Sequence, residues 1–147
     1  MQYVSTRNPD LRLSAAQAIV QGLSRDGGLF LPEEIPQITL EEIKALSKLP
    51  YPERAAKITK RYLDEFTEEE LLGFAEKAYG GNKFDDPKAA PVKDLGDGRY
   101  IMELWHGPTC AFKDMALQML PYLLTASLKK TGEDKTVCIL VATSGDT

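Results

Sequence analysis

Histidine and cysteine are nearly missing from this sequence: among 147 residues there is one histidine, His106, and two cysteines, Cys110 and Cys138. A single histidine excludes a multi-histidine metal site. The two cysteines are too far apart for a paired-ligand motif and too few for a disulfide framework, so both read as reduced thiols. No apolar run reaches the eighteen or so residues needed to cross a bilayer, and Met1-Gln2-Tyr3-Val4-Ser5-Thr6-Arg7 lacks the charged-then-apolar look of a signal peptide. A cytoplasmic protein without a membrane partner is the expectation. Basic clusters are also lacking: 18 Lys and Arg face 22 Asp and Glu, a net charge of −4, which argues against a nucleic-acid partner. Neither a Gly-x-Ser-x-Gly elbow, a Walker-type lysine loop nor a Cys-x-x-Cys pair occurs, and there is no internal repeat.

What is present is an ordinary globular composition, 43% hydrophobic and 27% charged, long enough for one domain to bury a core. Three capping boxes mark helix starts in the first half: Ser14 with Gln17, Thr39 with Glu42, and Thr67 with Glu70. After Ser14, apolar residues recur at helical spacing until Gly22 and Asp26-Gly27-Gly28, and Leu29-Phe30-Leu31 reads as a short buried strand. Leu40, Ile43, Leu46 and Leu49 form the next stripe, closed by Pro50 and Pro52. Helices over 54–65 and 68–79 follow, with Gly80-Gly81-Asn82 as the stop.

The proline-bearing stretch 84–91 has no apolar periodicity and marks a boundary, dividing a helical region, 1–91, from a second part, 92–147. There, 92–95 and 100–104 read as short strands around the hairpin signal Gly96-Asp97-Gly98. A loop, His106-Gly107-Pro108-Thr109-Cys110, leads into a long helix over 112–130 that is apolar nearly all round, hence buried, with Pro121 kinking it. The continuous apolar run 137–142 has the look of a parallel strand covered on both faces. The expected fold class is α/β: helices and short strands first, then a strand-helix-strand unit. The sequence stops at Thr147, directly after Ser144-Gly145-Asp146, a place where a domain rarely ends; a cut through a longer domain is expected.

Lys113 breaks the local rules. It sits among Ala111, Phe112 and Met115 at the amino-terminal end of a helix expected to be buried, where the dipole opposes a cation. Burial and dipole both disfavour the ammonium form, and a lysine that is partly neutral is a nucleophile suited to a carbonyl. Pairing with Asp114, or reaching to water, is the alternative. Thr143, Ser144, Gly145, Asp146 and Thr147 follow the expected strand as a small, hydroxylic turn, the arrangement that offers N–H groups to a carboxylate or phosphate beyond a strand's carboxyl end. The same residues could equally cap a following helix. His106, beside Gly107-Pro108, reads as a loop-fixing donor, and Trp105 and Phe112 as packing residues.

Glu103-Leu104-Trp105-His106-Gly107-Pro108-Thr109-Cys110-Ala111-Phe112-Lys113-Asp114 and Ala142-Thr143-Ser144-Gly145-Asp146-Thr147, taken together, closely resemble the threonine synthase family. Tyr3-Val4-Ser5-Thr6-Arg7 and 22–32 look like that family's opening segments. Trp105 stands where phenylalanine is common and Cys110 where leucine is common, both apolar replacements. The resemblance implies pyridoxal phosphate (PLP) as cofactor and an incomplete three-layer domain of the tryptophan-synthase-β type. It also implies O-phosphohomoserine as substrate, converted with water to threonine and phosphate. Lys113 would be the Schiff-base and proton-carrying lysine, and 143–147 the loop that hydrogen-bonds the substrate. The family's glycine-rich phosphate loop is lacking, so the remainder of the enzyme chain is needed and the 147 residues are expected to be inactive alone. Two other readings stand beside this one: another PLP enzyme of the same fold type, such as a threonine dehydratase or a threonine-synthase-like protein, and a non-catalytic helical interaction domain.

Overall fold

The three capping boxes all form. In the computed structural model, which describes residues 1–147, the hydroxyls of Ser14, Thr39 and Thr67 accept from the N–H groups of Gln17, Glu42 and Glu70 at 3.3, 3.2 and 3.1 Å. They start α1 (Ala15–Gln21), α2 (Leu40–Leu46) and α4 (Glu68–Tyr79), each satisfying amides that a helix end leaves unpaired. Between α2 and α4 lies α3 (Tyr51–Tyr62), whose N-cap is Pro50 and whose first turn holds Pro52. Sequence reading assigns those prolines only as the end of the preceding helix and starts α3 at 54. A proline that cannot continue one helix is equally suited to the first turn of the next, where its missing N–H costs nothing.

Two strands escape sequence reading. β1 (Gln2–Ser5) is the centre of an antiparallel sheet, flanked by β2 (Arg12–Ser14) and β3 (Phe30–Pro32), with Tyr3 opposite both Leu13 and Pro32. Both are too short to show alternation. The core is made by helices: Phe66, Leu71, Ala75 and Ala78 from α4 and its approach, Ala56 from α3, Ala15 from α1, with Leu63 and Met119. Small residues at 56, 75 and 78 let α3 and α4 approach closely, and Phe66 and Leu71 fill what remains.

The second part departs further from expectation. β4 (Val92–Gly96) and β5 (Arg99–Met102) pair antiparallel across Asp97 (φ 51°) and Gly98 (φ 72°), the two left-handed positions a tight hairpin turn requires. The expected helix over 112–130 is two pieces, α5 (Asp114–Leu117) and α6 (Leu120–Thr131). Pro121 lies in the first turn of α6, so the chain breaks and restarts there instead of bending. Nor is α6 buried all round: Tyr122, Leu123 and Ala126 face the core, while Leu120 and Thr125 face outward. Lys129 and Lys130 occupy its last turn and Gly132 (φ 67°) closes it, as the sequence indicates.

The strand expected over 137–142 does not form. These residues take no regular secondary structure, and Leu140 is 94% exposed. A strand exists only through a neighbour that shares its hydrogen bonds, and this segment pairs with neither sheet. The chain is therefore α/β, with its strand-helix-strand unit lacking the second strand. None of its helices is long and apolar enough to cross a membrane.

Candidate active site

The loop that carries Lys113 is fastened at four points. At its start, the His106 ring bridges two acids: Nδ1 meets Asp85 Oδ1, and Nε2 lies 2.8 Å from Glu103 Oε2. The main chain repeats the tie, since the Asp85 N–H donates to the His106 carbonyl at 3.0 Å. Hydrogen bonds accepted by Glu103 and then Asp85 raise the His106 pKa above its ordinary value, because both favour the protonated ring. His106 is thus a loop-fixing residue, as the sequence indicates, but its partners are 21 and 3 positions away, and the longer separation leaves no sequence signal.

Next, Gly107 to Cys110 make a turn with Pro108 at its second position, closed by the Cys110 N–H donating to the Gly107 carbonyl at 3.1 Å. Cys110 sits at φ 57°, and its thiol, like that of Cys138, is free and exposed. Third, Asp114 turns inward. Its side chain is buried, and Oδ2 accepts from the Thr109 N–H at 2.8 Å and the Thr109 hydroxyl at 3.0 Å, while Oδ1 has no partner. Fourth, the Tyr79 hydroxyl donates to the Met115 carbonyl at 2.7 Å and ties α5 to α4; burial pushes this phenol's pKa up.

Lys113 itself is not enclosed. Its side chain is 40% exposed, and α5 is a single turn of four residues, so the apolar burial and long-helix dipole expected around it are both lacking. Its amine donates to Asp146 Oδ2 at 2.7 Å and to the Thr147 hydroxyl at 3.2 Å. Asp114, the neighbour in sequence, is not its partner. The Lys113 ammonium and the Thr143 hydroxyl hold the Asp146 carboxyl below the usual carboxylate range. Thr143 accepts from the Gly145 N–H at 2.9 Å and donates to Asp146 Oδ1 at 3.2 Å, so the 143–147 turn is internally braced. The structure therefore brings Lys113 together with Asp146 and Thr147 directly and with Thr143 through Asp146. Ser144 and Gly145 make no hydrogen bond to it. Trp105 and Phe112, expected as packing residues, are 49% and 65% exposed, because no element of this chain lies over them.

Arranged this way, the site has one reachable amine, hydroxyls on one side and a carboxylate that matches the amine's charge. A carbonyl compound with an anionic group suits such a set. The profile described as "Threonine synthase N terminus" matches residues 2–79, more than half of the chain. The chain belongs to the threonine synthase family. It is 40% identical over 148 residues to the threonine synthase of Pseudomonas aeruginosa, an alignment covering 100% of this chain and 31% of that protein. Human threonine synthase-like 1 is 39% identical over 135 residues, covering 90% of this chain and 18% of that protein. Among solved structures, PLP-bound threonine synthase from Brucella melitensis superposes with a TM-score of 0.81 at 36% identity, covering 90% of this chain and 28% of that one. The chain thus spans about a third of the length of the threonine synthases it matches.

Proposed function

We propose that this chain is the amino-terminal portion of a threonine synthase, in which Lys113 is the lysine that holds PLP and the 143–147 turn receives the substrate. The observation that carries the reading is the Lys113 amine standing 2.7 Å from Asp146 and 3.2 Å from Thr147 in a chain of this family. The reaction is the conversion of O-phosphohomoserine and water to threonine and phosphate, with phosphate leaving the γ carbon and water adding at the β carbon. The division into a helical region, 1–91, and the start of a cofactor domain, 92–147, belongs to the same proposal, as does a cytoplasmic location.

The residues present fit one end of PLP. An amine that is partly exposed and flanked by hydroxyls suits its aldehyde, whereas no second cation touches this cluster to meet its phosphate. When bound, PLP supplies an electron sink that stabilises a carbanion at the amino-bearing carbon. The protein's part is then to place groups. Lys113 Nζ would hold the cofactor and would take and return protons at the substrate carbons. Asp146 orients that amine through a charge-assisted bond. The Ser144 hydroxyl is a donor for a substrate carboxylate, and those of Thr143 and Thr147, which donate to Asp146 here, would turn from it to join Ser144. The 147 residues by themselves are inactive on this reading, since the phosphate end of PLP lacks a holder.

The test is turnover in the gene product that carries this chain. Lys113→Ala should lower production of threonine and phosphate from O-phosphohomoserine by about 10³-fold or more with the melting temperature kept, the scale of a lost proton-transfer group. Undiminished turnover refutes the reading. Release of 2-oxobutyrate in place of threonine would assign the chain to a dehydratase of the same fold type.

A further inference from the structure

We propose that Asp114 is a positioning residue for Lys113, acting through Thr109 and a close approach that only glycine at 107 permits. Its carboxylate touches neither Lys113 nor any group of the 143–147 turn, so a direct part in the chemistry is not what it offers. It is 1% exposed, and a buried carboxylate that serves nothing is costly to keep. What it does is close a loop on itself. Oδ2 takes two hydrogen bonds from Thr109, five residues upstream, so the backbone from 109 to 114 is drawn into one compact bend. Lys113 lies on that bend.

Gly107 completes the device. A Cβ placed on it would stand 2.5 Å from Asp114 Cβ and from Oδ2, far inside van der Waals contact. Asp114 therefore packs against the bare backbone of 107, and the loop is held from both ends of its turn. With the aspartate side chain turned inward, the adjacent Lys113 side chain leaves the bend on the outer side, where it reaches Asp146. Release of the Asp114 anchor frees the bend, and Lys113 loses the fixed origin from which a flexible four-carbon stem places its amine.

This inference rests on the reading of Lys113 as the cofactor lysine, and the test separates the two. In the cofactor-free gene product carrying this chain, lysines are acetylated with limiting acetic anhydride and each rate is read by peptide mass spectrometry. Lys57, paired with Glu68 at 2.6 Å in the helical region, is the internal control for folding. Asp114→Ala should raise the Lys113 rate about tenfold, because the Asp146 pairing no longer shields it, with Lys57 unchanged; tenfold is the scale of one charge-assisted hydrogen bond. Asp114→Asn, which keeps an acceptor for Thr109, should return the rate to within about threefold of the parent. In parallel, PLP capture at Lys113, trapped with borohydride, should need about tenfold more cofactor in the alanine variant. An unchanged Lys113 rate in Asp114→Ala overturns the proposal. Where the Lys57 rate rises as well, the variant has unfolded, and Thr109→Val, on an exposed residue, decides: about a threefold rise is expected, and no rise overturns. A parent protein that captures no PLP at Lys113 while the acetylation rates behave as described refutes the cofactor reading and leaves the positioning standing.

Discussion

His106 links protonation to the shape of the Lys113 loop. Its pKa is raised by Glu103 first and Asp85 second, so the folded state binds the proton more tightly than the unfolded chain. The stability this contributes is complete below the unfolded value of about 6.5 and disappears as pH rises through the raised folded value. His106→Gln should accordingly melt well below the parent at a pH of about 5.5 and approach it at a pH of about 9. A gap between the two melting temperatures that is independent of pH would contradict the bridge. A second residue-scale prediction concerns Asp146, whose carboxyl is held low by Lys113 before any other cause. In Lys113→Ala, the Asp146 carboxyl should titrate closer to its ordinary value, as followed by carbon-detected NMR. No movement would mean that the 2.7 Å pair does not exist in solution.

Helix starts are the elements most open to quantitative test. Thr67 caps α4 at 3.1 Å, and Thr67→Ala should cost about 1 kcal/mol in urea unfolding, the usual worth of such a cap. In the α2 box, the Glu42 carboxyl is pushed down from 4.5 to about 2 by the Thr39 N–H, then by Arg61 and the Thr39 hydroxyl. A depressed carboxyl stabilises above its unfolded value and loses that effect as pH falls toward the folded one. Glu42→Gln should therefore flatten the acid limb of the stability curve between about pH 4.5 and pH 2; an unaltered limb argues against the box. These boxes, the Gly96-Asp97-Gly98 hairpin and the Gly132 stop were legible in sequence because each is a contact between near neighbours. The breaks were not. Pro121 reads as a kink within a continuous stripe, since an apolar pattern does not record where a helix restarts. β1 is set by partners distant in sequence, Leu13 with Arg12 and Ser14 on one side, Phe30 with Leu31 and Pro32 on the other, and no local pattern encodes them. Within the site, Lys113 stood out as a charge in an apolar run, whereas Asp114 stood out only as its neighbour. That the aspartate turns inward depends on Gly107 and Thr109, and their closeness is a property of the fold.

At the scale of the whole molecule, α1, α3, α4 and α6 share one core, and much of the rest is surface. Only 18 of 147 residues are buried, and the hairpin β4–β5 and the run 137–142 show apolar side chains outward. The amides of 137–142 have no backbone partner, so in this chain alone they should exchange with deuterium within seconds, while those of α3 and α4 stay protected. Protection over 137–142 in the isolated chain would contradict the unpaired segment seen here. In the gene product that carries the chain, the same amides should become protected, as a strand does once it has neighbours. The most direct measurement is mass-spectrometric mapping of PLP fixed by borohydride in that gene product. We predict one cofactor per chain on the peptide holding Lys113, and none there after Lys113→Ala. Cofactor fixed with the same stoichiometry at another lysine, with Lys113 unmodified, would contradict the account.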